Sequence, residues 1–244
     1  GLVTNNNFEG FREPVWFNYS ENTNAIWDIT NNTLTGIAAP TGASEVEWRG
    51  FRIQSCSAAG DLEFTNNTIN IGTADAAALY SLKKFSNVVS GMIDLDATFA
   101  NNNWERSATI TDGTDITGDI FYAFIQDAID VATAGDAIMV GGGTYVEDLT
   151  VDKSLTITGQ GPASTIIHPA LNTNYAITVS ADNVNVEDLK ITDPTELKNG
   201  IYVVSPASSG LTVDNVHFTN LGVTEGANAY GIYIDNSFTG LNVN

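Results

Sequence analysis

The 244-residue sequence has a single cysteine, Cys56. No disulfide can close within the chain, so burial of apolar surface must hold its fold. In Ile53-Gln54-Ser55-Cys56 the thiol reads as a small core residue. Basic residues are scarce as well: nine Lys and Arg stand against 29 Asp and Glu, a formal charge of −20. Such a surface repels phosphate backbones and anionic membranes, which argues against nucleic acid as a partner. No run of about 18 apolar residues occurs, so no membrane insertion is expected. The two histidines, His168 and His217, offer little imidazole for acid–base chemistry. His168 is expected in a turn beside Pro169, and His217 facing outward between Val216 and Phe218. No basic leader with an apolar stretch opens the sequence, which starts at Gly1 and reads as a mature or excised piece.

What the sequence has instead is Asn, Thr and Gly. Asn-x-Ser/Thr sequons at Asn18, Asn31 and Asn66 are candidate glycosylation sites in an exported protein. With few Lys and Arg and little helical pattern, they point to an extracellular or cell-surface location. One segment, Ile120 to Ala134, has helical periodicity, placing Phe121, Phe124, Ile125, Ala128, Ile129 and Ala132 on one face with Asp119 as its cap. Short alternating segments surround it, among them Ala137-Ile138-Met139-Val140, Thr144-Tyr145-Val146, Leu149-Thr150-Val151 and Leu155-Thr156-Ile157-Thr158.

A loose repeat runs through the rest. A strand, an Asn-bearing turn and a second strand recur in Val184–Ile191, Leu211–Phe218, Ile26–Leu34 and Leu62–Ile69, at spacings of roughly 27 to 36 residues. That suits one turn of a three-faced coil, with inward residues stacked in columns and Asn side chains laddering from rung to rung. The expected fold is all-β: a right-handed parallel β-helix (solenoid) with one amphipathic capping helix near 120–134. Here a resemblance can be named. Ile125-Gln126-Asp127-Ala128-Ile129-Asp130, Ala134-Gly135-Asp136, Gly143-Thr144-Tyr145-Val146-Glu147 and Ser154–Gly161 resemble the amino-terminal cap and first rungs of pectin-lyase-like right-handed parallel β-helix surface proteins of the prokaryotic tandem-repeat type.

The helix that should open such a coil lies mid-chain. Ahead of it, Asp96-Ala97-Thr98-Phe99-Ala100-Asn101-Asn102-Asn103-Trp104 is similar to the closure after the last rung of those proteins. The expected organisation is therefore carboxy-terminal rungs over 1–106, a linker over 107–118 rich in Thr, Asp and Gly, and capping helix with amino-terminal rungs over 119–244. A natural domain would run from 119 to 244 and on through 1–106 of the next copy. Gly1, Leu2 and Val3 at one end and Leu241, Val243 and Asn244 at the other are the candidate polymer interface. Copies joined in one polypeptide and separate copies adding strands to each other both give a fibre, and a fragment of two adjacent unrelated domains is the alternative.

The resemblance includes enzymes that act on acidic polysaccharides, but the motifs of pectin methylesterases, polygalacturonases and pectate lyases are missing; Arg12-Glu13-Pro14 is only a fragment of the last. Oxygen ligands for calcium are a better candidate: Asp112, Asp115 and Asp119 crowd a Gly-containing stretch that otherwise reads as a linker with a helix cap. Glu147, Asp148 and Asp152 read as a solvated face. Trp16, Trp27, Trp48 and Trp104 read chiefly as core, with Trp16 or Trp48 as an interface or sugar-binding strip. The leading expectation is a structural, non-enzymatic unit of a filament, sheath or surface layer, a homopolymer by end-to-end rung stacking. The alternative is a carbohydrate-active enzyme or a sugar-binding or adhesin module with a polysaccharide partner.

Overall fold

The computed structural model describes residues 1–11, 13–18, 27–35, 48–54, 62–70, 79–84, 95–111, 120–169, 175–193, 199–204, 209–222, 229–235 and 237–244. They are mostly β-strand with two short helices, and they form two compact units, Gly1–Ala123 and Phe124–Asn244. Cys56 lies outside the described residues.

The first unit is built from strand triplets. β1 (Leu2–Thr4), β2 (Asn7–Glu9) and β3 (Val15–Asn18) are followed by β4 (Trp27–Thr30), β5 (Thr33–Thr35) and β6 (Trp48–Gln54), then by β7 (Leu62–Thr65), β8 (Thr68–Asn70) and β9 (Leu79–Lys84). Each strand pairs in parallel with the strand one triplet later: β1 with β4 and β4 with β7, β2 with β5 and β5 with β8, β3 with β6 and β6 with β9. The period-two alternation of the sequence thereby stacks like on like. Ile29 lies beside Phe64, Leu34 beside Ile69 and Phe51 beside Leu82, all buried.

The unit closes differently from its repeats. Helix α1 (Leu95–Ala100) leads into β10 (Asn103–Glu105), which extends the β8 ladder and buries Trp104 beside Ile69. Residues 108–111, expected in a linker, form β11 (Ala108–Thr111), in which Ala108 is buried. Nor does a helix begin at Ile120. β12 (Ile120–Tyr122) runs antiparallel to β9 and sets Phe121 opposite Leu82. Phe121 meets Trp104 and Phe99 edge-on, with centroids 4.6 and 5.3 Å away, geometry that favours the positive ring edge on the negative face.

The second unit opens with α2 (Ile125–Val131), shorter than the expected helix, which buries Ile125, Ala128 and Ile129. Then come β13 (Ala137–Val140), β14 (Gly143–Val146) and β15 (Leu149–Val151), and β16 (Thr156–Thr158), β17 (Thr165–His168) and β18 (Tyr175–Val179). In the next two turns of chain the first two strands merge into nine-residue strands, β19 (Val184–Thr192) with β20 (Asn199–Val203) and β21 (Leu211–Thr219) with β22 (Ile232–Ile234), before β23 (Asn242–Val243). Asp188 and Asn215 take φ of +54° and +48° at the bend inside each long strand, a conformation that Asp and Asn tolerate better than other side chains.

Parallel ladders again join successive turns of chain: β13–β16–β19–β21–β23, β14–β17–β19 and β15–β18–β20–β22. The inward column of the first ladder is aliphatic. Ile138, Ile157, Val186 and Val213 are buried, whereas Val243, next in that column, is 56% exposed.

α2 covers the edge of β15 through side chains. The Glu147 carboxylate accepts the Ile125 and Gln126 backbone N–H groups at 3.1 and 3.0 Å, satisfying two donors that a helix start leaves over. The Gln126 carboxamide accepts from Thr150 N–H at 2.8 Å and donates to the Thr150 carbonyl at 3.3 Å, standing in for a neighbouring strand. Lys153 Nζ donates to the Ile129 and Asp130 carbonyls at the helix end. Glu147 is therefore a buried cap rather than part of a solvated face, and it does the work expected of Asp119, which lies outside the described residues.

Candidate functional site at the open edges

The turns of the first unit carry paired asparagines. Asn5, Asn31 and Asn66 sit at φ of +57°, +56° and +55° and bend the chain between the first and second strand of each triplet. The following residue points inward and ladders. Asn32 Oδ1 accepts from Asn6 N–H and Nδ2, Asn67 Oδ1 from Asn32 N–H and Nδ2, and Asn102 Oδ1 from Asn67 N–H and Nδ2, all at 2.7–3.1 Å. Each Nδ2 also donates to a carbonyl of the preceding triplet: Asn32 to Val3, Asn67 to Ile29 and Asn102 to Phe64. Asn6, at the open end, turns its Nδ2 onto its own Thr4 carbonyl at 3.1 Å.

The ladder has a direction and one sealed end. Thr98 in α1 offers its carbonyl to Asn102 Nδ2 at 2.7 Å and to Trp104 Nε1 at 3.1 Å. Opposite it, β1, β2 and β3 are the outermost strands of their ladders among the described residues. Leu2 there is 70% exposed, Phe11 55% and Trp16 50%. Gly1 lies against Trp27, whose ring occupies the place a side chain at position 1 would need. In the second unit β22 and β23 are outermost, and Tyr230, Leu241 and Val243 are exposed. Of the candidate interface residues, Gly1, Leu2, Leu241, Val243 and Asn244 are exposed and Val3 is half-buried.

Two aromatic features accompany these edges. Tyr175, Tyr202, Tyr233 and Tyr230 stack in that order, with centroids 4.2, 5.5 and 5.4 Å apart. Tyr202 and Tyr233 donate to the two oxygens of Asp235 at 3.1 and 3.3 Å. Lost hydration and then that hydrogen bond hold the Tyr202 hydroxyl above its ordinary pKa; for Tyr233 the Asp235 charge comes first. The guanidinium of Arg52, on β6, lies 4.2 Å from the centre of the ring of Trp16, on β3, and Glu13 pairs with both Arg49 and Arg52.

The remaining candidates are scattered. Asn18, Asn31 and Asn66 are exposed, the last two at the outer corner of the laddered turns. Asp112, Asp115 and Asp119, the calcium candidates, lie outside the described residues. Among the described residues no group of three or more His, Cys, Asp and Glu could hold a metal ion. His168 Nδ1 faces the Pro169 carbonyl at 2.9 Å and its Nε2 is 3.9 Å from buried Asp193; His217 is exposed on β21. Trp104 is core and Trp16 is exposed, while the side chain of Trp48 lies outside the described residues. In the sequence Gly200-Ile201-Tyr202 and Gly231-Ile232-Tyr233 read as a second recurring class of strand, but the stacking of Tyr175, Tyr202 and Tyr233 in one column was not expected from it.

No protein-family model matches the chain, and no solved structure matches it. It is similar to a protein of Methanothermus fervidus named cell surface glycoprotein, 38% identical over 102 residues. The match takes in 41% of this chain and 16% of that protein, so the chain spans a small part of its relative's length. Among the described residues no helix is long and apolar enough to cross a membrane.

Proposed function

We propose that this chain is a structural component of a cell surface, a right-handed parallel β-solenoid of the pectin-lyase-like kind whose units stack head to tail. The ladders support the solenoid: strands recur as triplets and pair in parallel one triplet apart, and crossover connections between parallel strands are right-handed in about 98% of cases. The observation that carries the assembly is exposed apolar surface beside the outermost of the described strands. Leu2, Phe11 and Trp16 in the first unit, with Tyr230, Leu241 and Val243 in the second, are large apolar side chains there, surface that further strands would cover. A contact between two different edges does not close on itself and propagates as a filament. The name of the Methanothermus fervidus relative supports the surface location, and exposed Asn18, Asn31 and Asn66 suit a glycosylated protein. The role is association, not catalysis.

Sedimentation velocity of the purified chain over a hundredfold range of concentration is the test. Head-to-tail stacking gives a series of species that lengthens with concentration; a single monomeric boundary throughout overturns it. The tyrosine column ending at Asp235 favours a second reading, a sugar-binding or adhesin module, in which case a glycan array finds a ligand that Tyr230→Ala loses.

A further inference from the structure

We infer that Asn31 and Asn66 receive their sugar on the open chain, before the asparagine ladder closes over the two sequons, from a lipid-linked oligosaccharide. This rests on the reading of the chain as a glycosylated surface protein and deepens it: the closed fold accommodates the product at these two sites and excludes the reaction that makes it.

A sequon ordinarily marks a surface loop. Here each spans a bend and the start of a strand. Asn31-Asn32-Thr33 joins β4 to β5, and Asn66-Asn67-Thr68 joins β7 to β8. The first residue of each is exposed, the middle one is 1% exposed, and the threonine is half-buried. The product fits because the sugar falls on the outward member of each pair. Asn32 and Asn67, whose carboxamides form the ladder, begin no sequon, since Leu34 and Ile69 stand where the hydroxyl residue would be. The neighbouring pairs, in Asn5-Asn6-Asn7 and Asn101-Asn102-Asn103, contain no sequon either.

Transfer asks more of the chain than its product does. Asn Nδ2 bonds to C1 of the first sugar as the bond from C1 to the carrier's phosphate oxygen breaks. The phosphate leaves with that electron pair, and one amide proton passes to a base of the transferase. To recognise the sequon, the enzyme must hold the carboxamide and the hydroxyl two residues on in one cleft, with the backbone between them inside it. In the folded unit the neighbouring triplets hold that backbone from both sides. Asn31 N–H donates to the Thr65 carbonyl at 3.2 Å and Asn32 N–H to Asn67 Oδ1 at 2.9 Å, both in the following triplet, whereas Thr33 N–H donates back to the Asn6 carbonyl at 2.8 Å. The second sequon repeats this: Asn66 N–H meets the Asn101 carbonyl, Asn67 N–H meets Asn102 Oδ1, and Thr68 N–H meets the Asn32 carbonyl, all at 2.8 Å. A cleft can enclose either sequon only after it separates from both neighbours, which strips buried polar groups of their partners. The site is therefore open to the enzyme during synthesis and shut afterwards.

The test offers detergent-solubilised oligosaccharyl transferase and a lipid-linked oligosaccharide three acceptors: the folded chain, peptides of residues 27–37 and 62–72, and the Asn67→Ala chain, which keeps both sequons. Occupancy of each site is read by mass spectrometry of glycopeptides. The peptides are expected to react roughly a hundredfold faster than the same sites in the folded chain, because transfer there waits for local opening. Asn67→Ala, which takes the acceptor from Asn32 N–H, is expected to speed transfer to Asn31 roughly tenfold, and further if it unfolds the unit. Folded chain modified at the peptide rate, or Asn31 in Asn67→Ala no faster than in the unchanged chain, overturns the timing and leaves glycosylation in place. Peptides that accept no sugar overturn both for these two sites.

Discussion

Each laddered asparagine gives its turn two separate contributions, one from the residue at positive φ and one from the residue that follows. Asn67 is buried, accepts two hydrogen bonds from Asn32 and donates to the Ile29 carbonyl and to Asn102. Asn67→Ala leaves the Asn32 N–H buried without its acceptor, at roughly 1–3 kcal/mol for such a group, and takes from the Ile29 carbonyl and the Asn102 carboxamide the hydrogen bonds that Asn67 Nδ2 gives them. Loss of about 3 kcal/mol is therefore expected in urea unfolding followed by Trp fluorescence, since Trp104 is buried in the same unit. Asn66 is exposed and contributes only its tolerance of φ +55°. Asn66→Gly is expected to change stability by less than about 0.5 kcal/mol and Asn66→Ala to cost about 1 kcal/mol. A ladder in which both positions mattered equally would erase that difference. The two roles are distinct for glycosylation too, because Asn31 and Asn66 are the outward members of their pairs and a glycan there leaves the ladder intact.

At the scale of elements, α2 is a plug whose position depends on one carboxylate from the strand connection it covers. Glu147→Ala removes the acceptor of Ile125 and Gln126 N–H and is expected to cost about 2 kcal/mol, with Glu147→Gln in between because one oxygen remains. Hydrogen exchange at those two amides should rise in step, while that of Ile157 amide in the ladder stays slow; uniform acceleration would mean the plug and ladders open together. This pairing explains what was and was not legible in the sequence. Alternation in Val184–Ile191 and Leu211–Phe218 was readable because every second residue on each side of the bend faces inward, and the Asn-bearing turns at Asn31-Asn32 and Asn66-Asn67 marked a stacked turn, whereas Asn102, which extends that ladder, read as part of the closing segment. The start of α2 was misread because Phe121, Phe124 and Ile125 satisfy helical spacing, whereas Ile120-Phe121-Tyr122 had a strand partner in β9, some forty residues earlier, that local pattern cannot reveal. Helix α1, only six residues long, is too short to leave a periodicity. Glu147 looked solvated because it neighbours Asp148; its partners lie across the fold.

For the whole molecule, the opposition is between apolar edges that favour stacking and a net charge of −20 that opposes it. β21 carries two titratable side chains, Asp214 and His217, paired across the ladder with Glu187 and Lys190. Repulsion between copies comes from the net charge of their whole surface and acts at long range, which makes it the part that salt removes. The screening length falls from about 30 Å at 0.01 M ionic strength to about 8 Å at 0.15 M. Association of the chain is expected to strengthen at least tenfold over that interval, with little further change at 0.5 M, as read from sedimentation. Contacts built mainly from ion pairs between copies would weaken along the same series. Divalent cations separate screening from specific binding: at matched ionic strength, calcium and magnesium should act alike if only the diffuse charge matters. An excess effect of calcium at micromolar concentration would instead direct attention to Asp112, Asp115 and Asp119, and substitution of all three by Asn would then have to abolish it.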